Sequence, residues 1–153
     1  MLRVGDTVPA FRLEAGTGAT VDSRDLLGTR WVIYFYPKDN TPGCTIETRE
    51  FGLLQSELRD RDVLVFGCSI GDAAAKKSFA VSCDAPELPL LADPDHEVAQ
   101  AFGVWGPRRF AGREYMGVAR ATFLIDPQGC VERVWEEVKP DGHARDVLTA
   151  IGG

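Results

Sequence analysis

Hydrophobic positions change their period several times along the chain, and each change marks an element. Trp31-Val-Ile-Tyr-Phe-Tyr36 is an unbroken aromatic and β-branched run that stops at Pro37, the pattern of a central strand buried on both faces. Beyond a polar loop, Phe51, Leu54 and Leu58 recur at spacings of three and four, which predicts an amphipathic helix entered through Thr41-Pro-Gly-Cys44. Thr41 suits its N-cap and Pro42 its first helical position. Asp62 to Ile70 reads as a second buried strand, and Asp72 to Ser82 as a helix with Phe79 and Val81 near its apolar side. Pro94 to Phe102 predicts a short helix. Ala121 to Asp126 and Val131 to Glu136 flank the compact turn Pro127-Gln-Gly129 as a β-hairpin. From Gly142 to Ile151 a last helix places Ala144, Val147, Leu148 and Ile151 on one face. Such alternation implies an α/β fold with a mixed central β-sheet flanked by helices.

Composition narrows the function classes. No repeat, low-complexity block or linker divides the 153 residues, so a single domain over 1–153 is expected. The longest apolar run is far shorter than the roughly 20 residues a membrane helix needs, and no basic-then-apolar leader opens the chain. A cytoplasmic protein without membrane partners is the expectation. With 17 Lys+Arg against 23 Asp+Glu the formal net charge is −6, which disfavours nucleic acid, whose backbone needs clustered positive charge.

The cysteines at 44, 68, 83 and 130 show no CxxC spacing, and His96 and His143 are not paired with them at zinc-ligand separation. No metal is expected. The open question is which thiol is reactive. Cys44 falls in the first turn of the predicted helix, where exposed N–H groups and the helix dipole stabilise negative charge. Gly43 lets the backbone approach a small ligand, and the Thr41 hydroxyl can serve the sulfur's neighbourhood as donor or acceptor. On residue type alone, an inert cysteine packed under a helix start remains the alternative.

The segment Tyr36-Pro-Lys-Asp-Asn-Thr-Pro-Gly-Cys-Thr-Ile-Glu47 resembles the active-site signature of the peroxiredoxins, PxxxTxxC, filled by Pro37, Thr41 and Cys44. The string FYPKDNTPGCTIE is similar to the peroxiredoxin Q branch, also called bacterioferritin comigratory protein. Further matching stretches are Val4 to Phe11, Leu90 to Asp93, Phe102 to Gly106, Gly112 to Gly117 and Arg120 to Asp126. The resemblance implies a thioredoxin-like fold with an N-terminal extension, and a thiol peroxidase that reduces hydrogen peroxide and organic hydroperoxides without a cofactor. It also implies thioredoxin or a similar dithiol protein as reductant, and a monomer or weak homodimer. Position for position, Cys44 matches the peroxidatic cysteine, Thr41 its hydroxyl partner, Pro37 its shielding proline and Arg120 the active-site arginine. A permanently charged arginine suits this chemistry, because attack on an O–O bond places negative charge on both sulfur and departing oxygen. Glu47, one turn beyond Cys44, is a candidate to orient Arg120.

Oxidised Cys44 needs a second thiol or an external reductant. Many members of the branch carry a resolving cysteine five residues later, where this chain has Arg49. Others place it on the following helix, so Cys83, about a turn from that position, is the preferred resolver. Cys68 reads as structural within VLVFGCSI, and Cys130 as an exposed thiol at the hairpin turn. A one-cysteine peroxidase, a thioredoxin-like disulfide oxidoreductase and a binding module stay open as alternatives. Gly16-Thr-Gly18 is expected to be a flexible turn, Arg108, Arg109 and Arg113 a solvated loop, and His96 and His143 surface residues near helix starts.

Overall fold

The computed structural model describes residues 1–152, the Phe110 side chain apart. In chain order it contains β1 (Arg12–Glu14), β2 (Thr20–Asp22), β3 (Arg30–Phe35), α1 (Pro42–Asp60), β4 (Val63–Ser69), α2 (Ala73–Ser82) and β5 (Leu90–Ala92). There follow α3 (Glu97–Phe102), β6 (Trp105–Phe110), β7 (Arg113–Val118), β8 (Ala121–Ile125), β9 (Val131–Trp135) and α4 (His143–Ile151). The main sheet has the order β5-β4-β3-β8-β9, parallel between β5, β4 and β3 and antiparallel from β3 through β8 to β9. This is the mixed α/β arrangement that the alternation of elements implied, with the thioredoxin-like character that the family resemblance implied.

Strand side chains alternate between faces, and β3 uses both. Val32, Tyr34 and the following Tyr36 enter a core with Phe51 of α1, Phe79 of α2 and Val147 of α4. Trp31, Ile33 and Phe35 enter the opposite core with Phe102 of α3, Phe123 of β8 and Ala15 of the N-terminal segment. That double burial explains why the run from Trp31 to Tyr36 has no charged member. The antiparallel register pairs Phe35 with Ala121. The loop leaving β3 and the residue entering β8, Arg120, therefore meet at one end of the sheet.

Four expectations need correction. Residues 105–118, including Arg108, Arg109 and Arg113, form the antiparallel hairpin β6–β7 instead of a loop, turning at Ala111 and Gly112 with φ of 52° and 78°. Its exposed residues gave no period-2 signal, because neither face of its outer half is covered. Val81 is solvent-facing, and the inner row of α2 is instead Lys76, Phe79 and Ala80. His143 is buried, its Nε2 2.8 Å from the Thr122 hydroxyl and its ring edge-on to Phe51 and Trp135. Cys130 is only half-exposed, because residues 5–8 of the N-terminal segment lie along it, Thr7 pairing with it directly. His96 does precede α3, but its ring stacks on Trp105 at 3.9 Å. Gly16 to Gly18 is the turn between β1 and β2.

Candidate active site

Thr41 adopts the extended N-cap geometry, with φ −91° and ψ 151°, and Pro42 opens α1 as its fixed φ favours. The Thr41 hydroxyl does not cap the helix. It donates to the Lys38 carbonyl at 2.9 Å and so ties the loop to itself. Among the described residues no side chain caps this turn and none of its first residues is acidic, which leaves the Gly43 and Cys44 N–H groups to a ligand. Cys44 is fully buried at this helix start.

Arg120 reaches the same point from the edge of β8. Its Nη2 donates to Cys44 Sγ at 3.4 Å, and its Nη1 to Glu47 Oε1 at 2.9 Å. The fork therefore spans the sulfur and a carboxylate one turn further along α1. Gly43 allows the approach, since a Cβ there would lie 3.0 Å from Arg120 Nη2 and 3.2 Å from Pro140 Cγ. The main chain of Arg120 is held as well, its carbonyl accepting from the Val138 N–H at 3.1 Å. Pro37, Arg108, Arg120, Glu136 and Glu137 are among the residues that line an open cleft of about 580 Å³. Pro37, Thr41, Cys44 and Arg120, singled out from the sequence, thus share one end of the sheet.

Glu47 proves to be the second partner of Arg120. Its carboxylate is fully buried, and Oε2 has no hydrogen-bond partner among the described residues. Burial pushes the Glu47 carboxyl up to about 7, against the opposing pull of the Arg120 charge. Nearby, burial lowers His143 to about 4, so its imidazole is neutral at pH 7. Folded Glu47 holds more protons than the unfolded chain between its ordinary value of 4.5 and about 7, so its contribution to stability is complete below 4.5 and lost as pH rises toward 7. His143 acts oppositely: its contribution is complete above 6.5 and lost as pH falls toward 4. The two slopes offset each other between these limits. Glu47→Gln is expected to expose the His143 slope, so that stability rises with pH between 4.5 and 6.5 more steeply than in the parent. Urea unfolding across that range checks this, and an unchanged profile refutes it.

The other thiols are placed differently. Cys83 follows α2 as its C-cap and is fully buried, and desolvation raises its thiol despite a contact with Ser82 Oγ at 4.0 Å. It shares one core with Cys44, and both sulfurs, with Glu47, add to the burial that raises the Tyr34 phenol well above its ordinary value. The approach of α1 is close here, because Gly52 would place a Cβ 2.6 Å from the Ala85 Cβ. Cys68 lies sealed inside β4, its thiol raised first by burial and then by Asp93. Thr7 Oγ1 lies 3.9 Å from Cys130 Sγ. All four cysteines are free.

The model of the AhpC/TSA family matches residues 4–134. A putative peroxiredoxin bcp of Helicobacter pylori is 39% identical over 150 residues, covering 98% of this chain and 98% of its own. Among solved structures, a cysteine-to-serine mutant of Xylella fastidiosa PrxQ superposes with a TM-score of 0.92 at 31% identity, covering 99% of this chain and 96% of that one. The bacterioferritin comigratory protein of Xanthomonas campestris, studied for its alkyl peroxide reduction activity, superposes with a TM-score of 0.87 at 33% identity over 99% and 96% of the two chains. A matched family model over most of the chain, full-length identity to a named peroxiredoxin and a cysteine at a helix start under an arginine fork all agree: the chain belongs to the AhpC/TSA family, among its peroxiredoxins, the thiol-dependent peroxidases.

Proposed function

We propose that Cys44 is the residue at which this peroxidase attacks hydrogen peroxide and organic hydroperoxides. The observation that carries the reading is the Arg120 guanidinium, 3.4 Å from a sulfur seated at an uncapped helix N-terminus. The Cys44 thiolate attacks the terminal peroxide oxygen, forming an S–O bond as the O–O bond breaks and the other oxygen leaves with the bonding pair. The product is Cys44 sulfenic acid plus an alkoxide or hydroxide, which takes up a proton. Arg120 and the Gly43 and Cys44 N–H groups offset the charge on attacking and departing atoms. The Thr41 hydroxyl keeps its lone pairs free to accept from the incoming peroxide while its O–H donates to the Lys38 carbonyl. Pro37, at the cleft wall, limits access of water and bulk.

Resolution is assigned to Cys83. Its thiol condenses with the sulfenic acid, forming a disulfide and releasing water, and a dithiol protein of the thioredoxin kind then reduces that disulfide by exchange. Both cysteines are buried and the bond requires Cα atoms within about 7 Å, so the first turn of α1 opens in this step. The reading extends to a cytoplasmic enzyme working as a monomer or weak homodimer. Among the described residues no helix is long and apolar enough to cross a membrane, and no cluster of metal-ligating side chains occurs.

The test adds one equivalent of hydrogen peroxide to the reduced protein, counts the remaining thiols and maps the products by peptide mass. Loss of two thiols with a Cys44–Cys83 crosslink is expected. Loss of Cys44 alone, trapped as sulfenic acid, would replace this mechanism with a one-cysteine cycle.

A further inference from the structure

Lys76 takes no part in the peroxide chemistry, yet it is fully buried, a rare state for lysine unless its ammonium is paired. It sits in the first turns of α2, where a helix N-terminus disfavours a cation. Its Nζ nevertheless has a complete set of partners: Asp39 Oδ2 at 2.9 Å, the Ile70 carbonyl at 2.7 Å and the Tyr36 ring at 5.6 Å. Asp39 is engaged on its other oxygen too, accepting from the Tyr36 hydroxyl at 2.7 Å. Asp39 belongs to the loop between β3 and α1, beside Lys38, whose carbonyl holds Thr41. The next residue, Asn40, is left-handed at φ 63°, a conformation that surrounding contacts have to maintain. One buried ammonium therefore ties the loop that delivers Cys44 to the start of the helix that ends at Cys83.

We propose that Lys76 is a positioning residue for the thiol exchange, a clip that holds the peroxide-reactive arrangement of the 37–41 loop and whose release accompanies condensation of Cys44 with Cys83. The inference rests on the assignment of Cys83 above. With the clip closed, Thr41, Gly43 and Cys44 present a formed helix start to peroxide. With it open, the loop and the first turn of α1 are free of α2, and the sulfenic acid moves toward Cys83. The clip sets how the enzyme divides its time between the two steps.

Rapid-quench alkylation with peptide mapping separates a peroxide-dependent phase, sulfenic acid formation, from a peroxide-independent phase, crosslink formation. In Lys76→Met the first phase is expected to slow and the second to accelerate by roughly tenfold, a fraction of what breaking a buried ion pair can release. Hydrogen exchange at the Thr45 amide, which closes the first turn onto the Thr41 carbonyl at 2.9 Å, should accelerate in parallel. Asp39→Asn removes the anion and leaves the lysine in place, so it carries the same test if Lys76→Met does not fold. An unchanged second phase in these variants, with only a lower unfolding midpoint, overturns the clip and leaves Cys83 as resolver. Absence of any Cys44–Cys83 crosslink in the parent overturns both.

Discussion

Replacing Cys44 by serine is expected to end peroxide consumption, with a loss on the order of 10⁴-fold or more, comparable to removing the nucleophile of other covalent catalysts. The substitution changes one atom in a fully buried position, so the fold and the Arg120–Glu47 pair should survive. What disappears is the chemistry: a serine oxygen does not offer the soft anionic nucleophile that a sulfur does near neutral pH, and no oxygen analogue of a sulfenic acid follows. Peroxide decay followed with excess dithiothreitol reads the effect directly. Cys68→Ala supplies the contrast, since Cys68 is sealed in β4 and its thiol is raised by burial; its peroxide kinetics should match the parent. Undiminished turnover in the Cys44 variant would remove this residue from the mechanism.

How far the sequence discloses such a site depends on whether a side chain's role is local. Cys44 and Thr41 are legible as candidates because their signal lies within one short stretch, a threonine at the N-cap position and a thiol in a helical first turn, whereas Pro37 reads locally only as the end of a strand and takes its candidate role from the family resemblance. Arg120 is distant in sequence and only the family resemblance points to it; the physical reason for its position is the Phe35 to Ala121 register, which no spacing within the chain displays. Lys76 looks like an ordinary surface residue of an amphipathic helix, and Glu47 stands out only as a candidate to orient Arg120 from one turn beyond Cys44. Each is buried because a partner from another element, Arg120 or Asp39, arrives to meet it. His143 is buried against the surface expectation for the same reason, its Thr122 partner lying on β8. The fold shows a parallel division. Strands buried on both faces, such as β3 and β4, announce themselves as apolar runs, while the exposed β6–β7 hairpin and the three-residue β5 carry too little periodic signal to separate from loop.

Arg120→Met should lower the second-order rate constant with peroxide by roughly 10²- to 10³-fold, the usual cost of removing one fixed donor from a developing charge. Its second consequence reaches the fold. Glu47 loses its ion-pair partner while remaining fully buried, and breaking a buried pair from one side costs about 3–5 kcal/mol. That cost depends on pH in a definite direction. Without the Arg120 charge, which pulls the Glu47 carboxyl down, its folded value rises from about 7 to a higher one. The penalty is therefore small near pH 5, where Glu47 is protonated in both forms of the enzyme, and grows as pH rises through the neutral range. Urea unfolding of parent and variant at pH 5.5 and 8 should show a gap that widens with pH. Adding Glu47→Gln to Arg120→Met separates the two effects. The double variant has no buried charge left to compensate, so its stability should return toward the parent's at pH 8, while its rate with peroxide stays low because the cation beside Cys44 Sγ is still missing. Recovery of the rate together with the stability would mean that Arg120 acts through the fold alone.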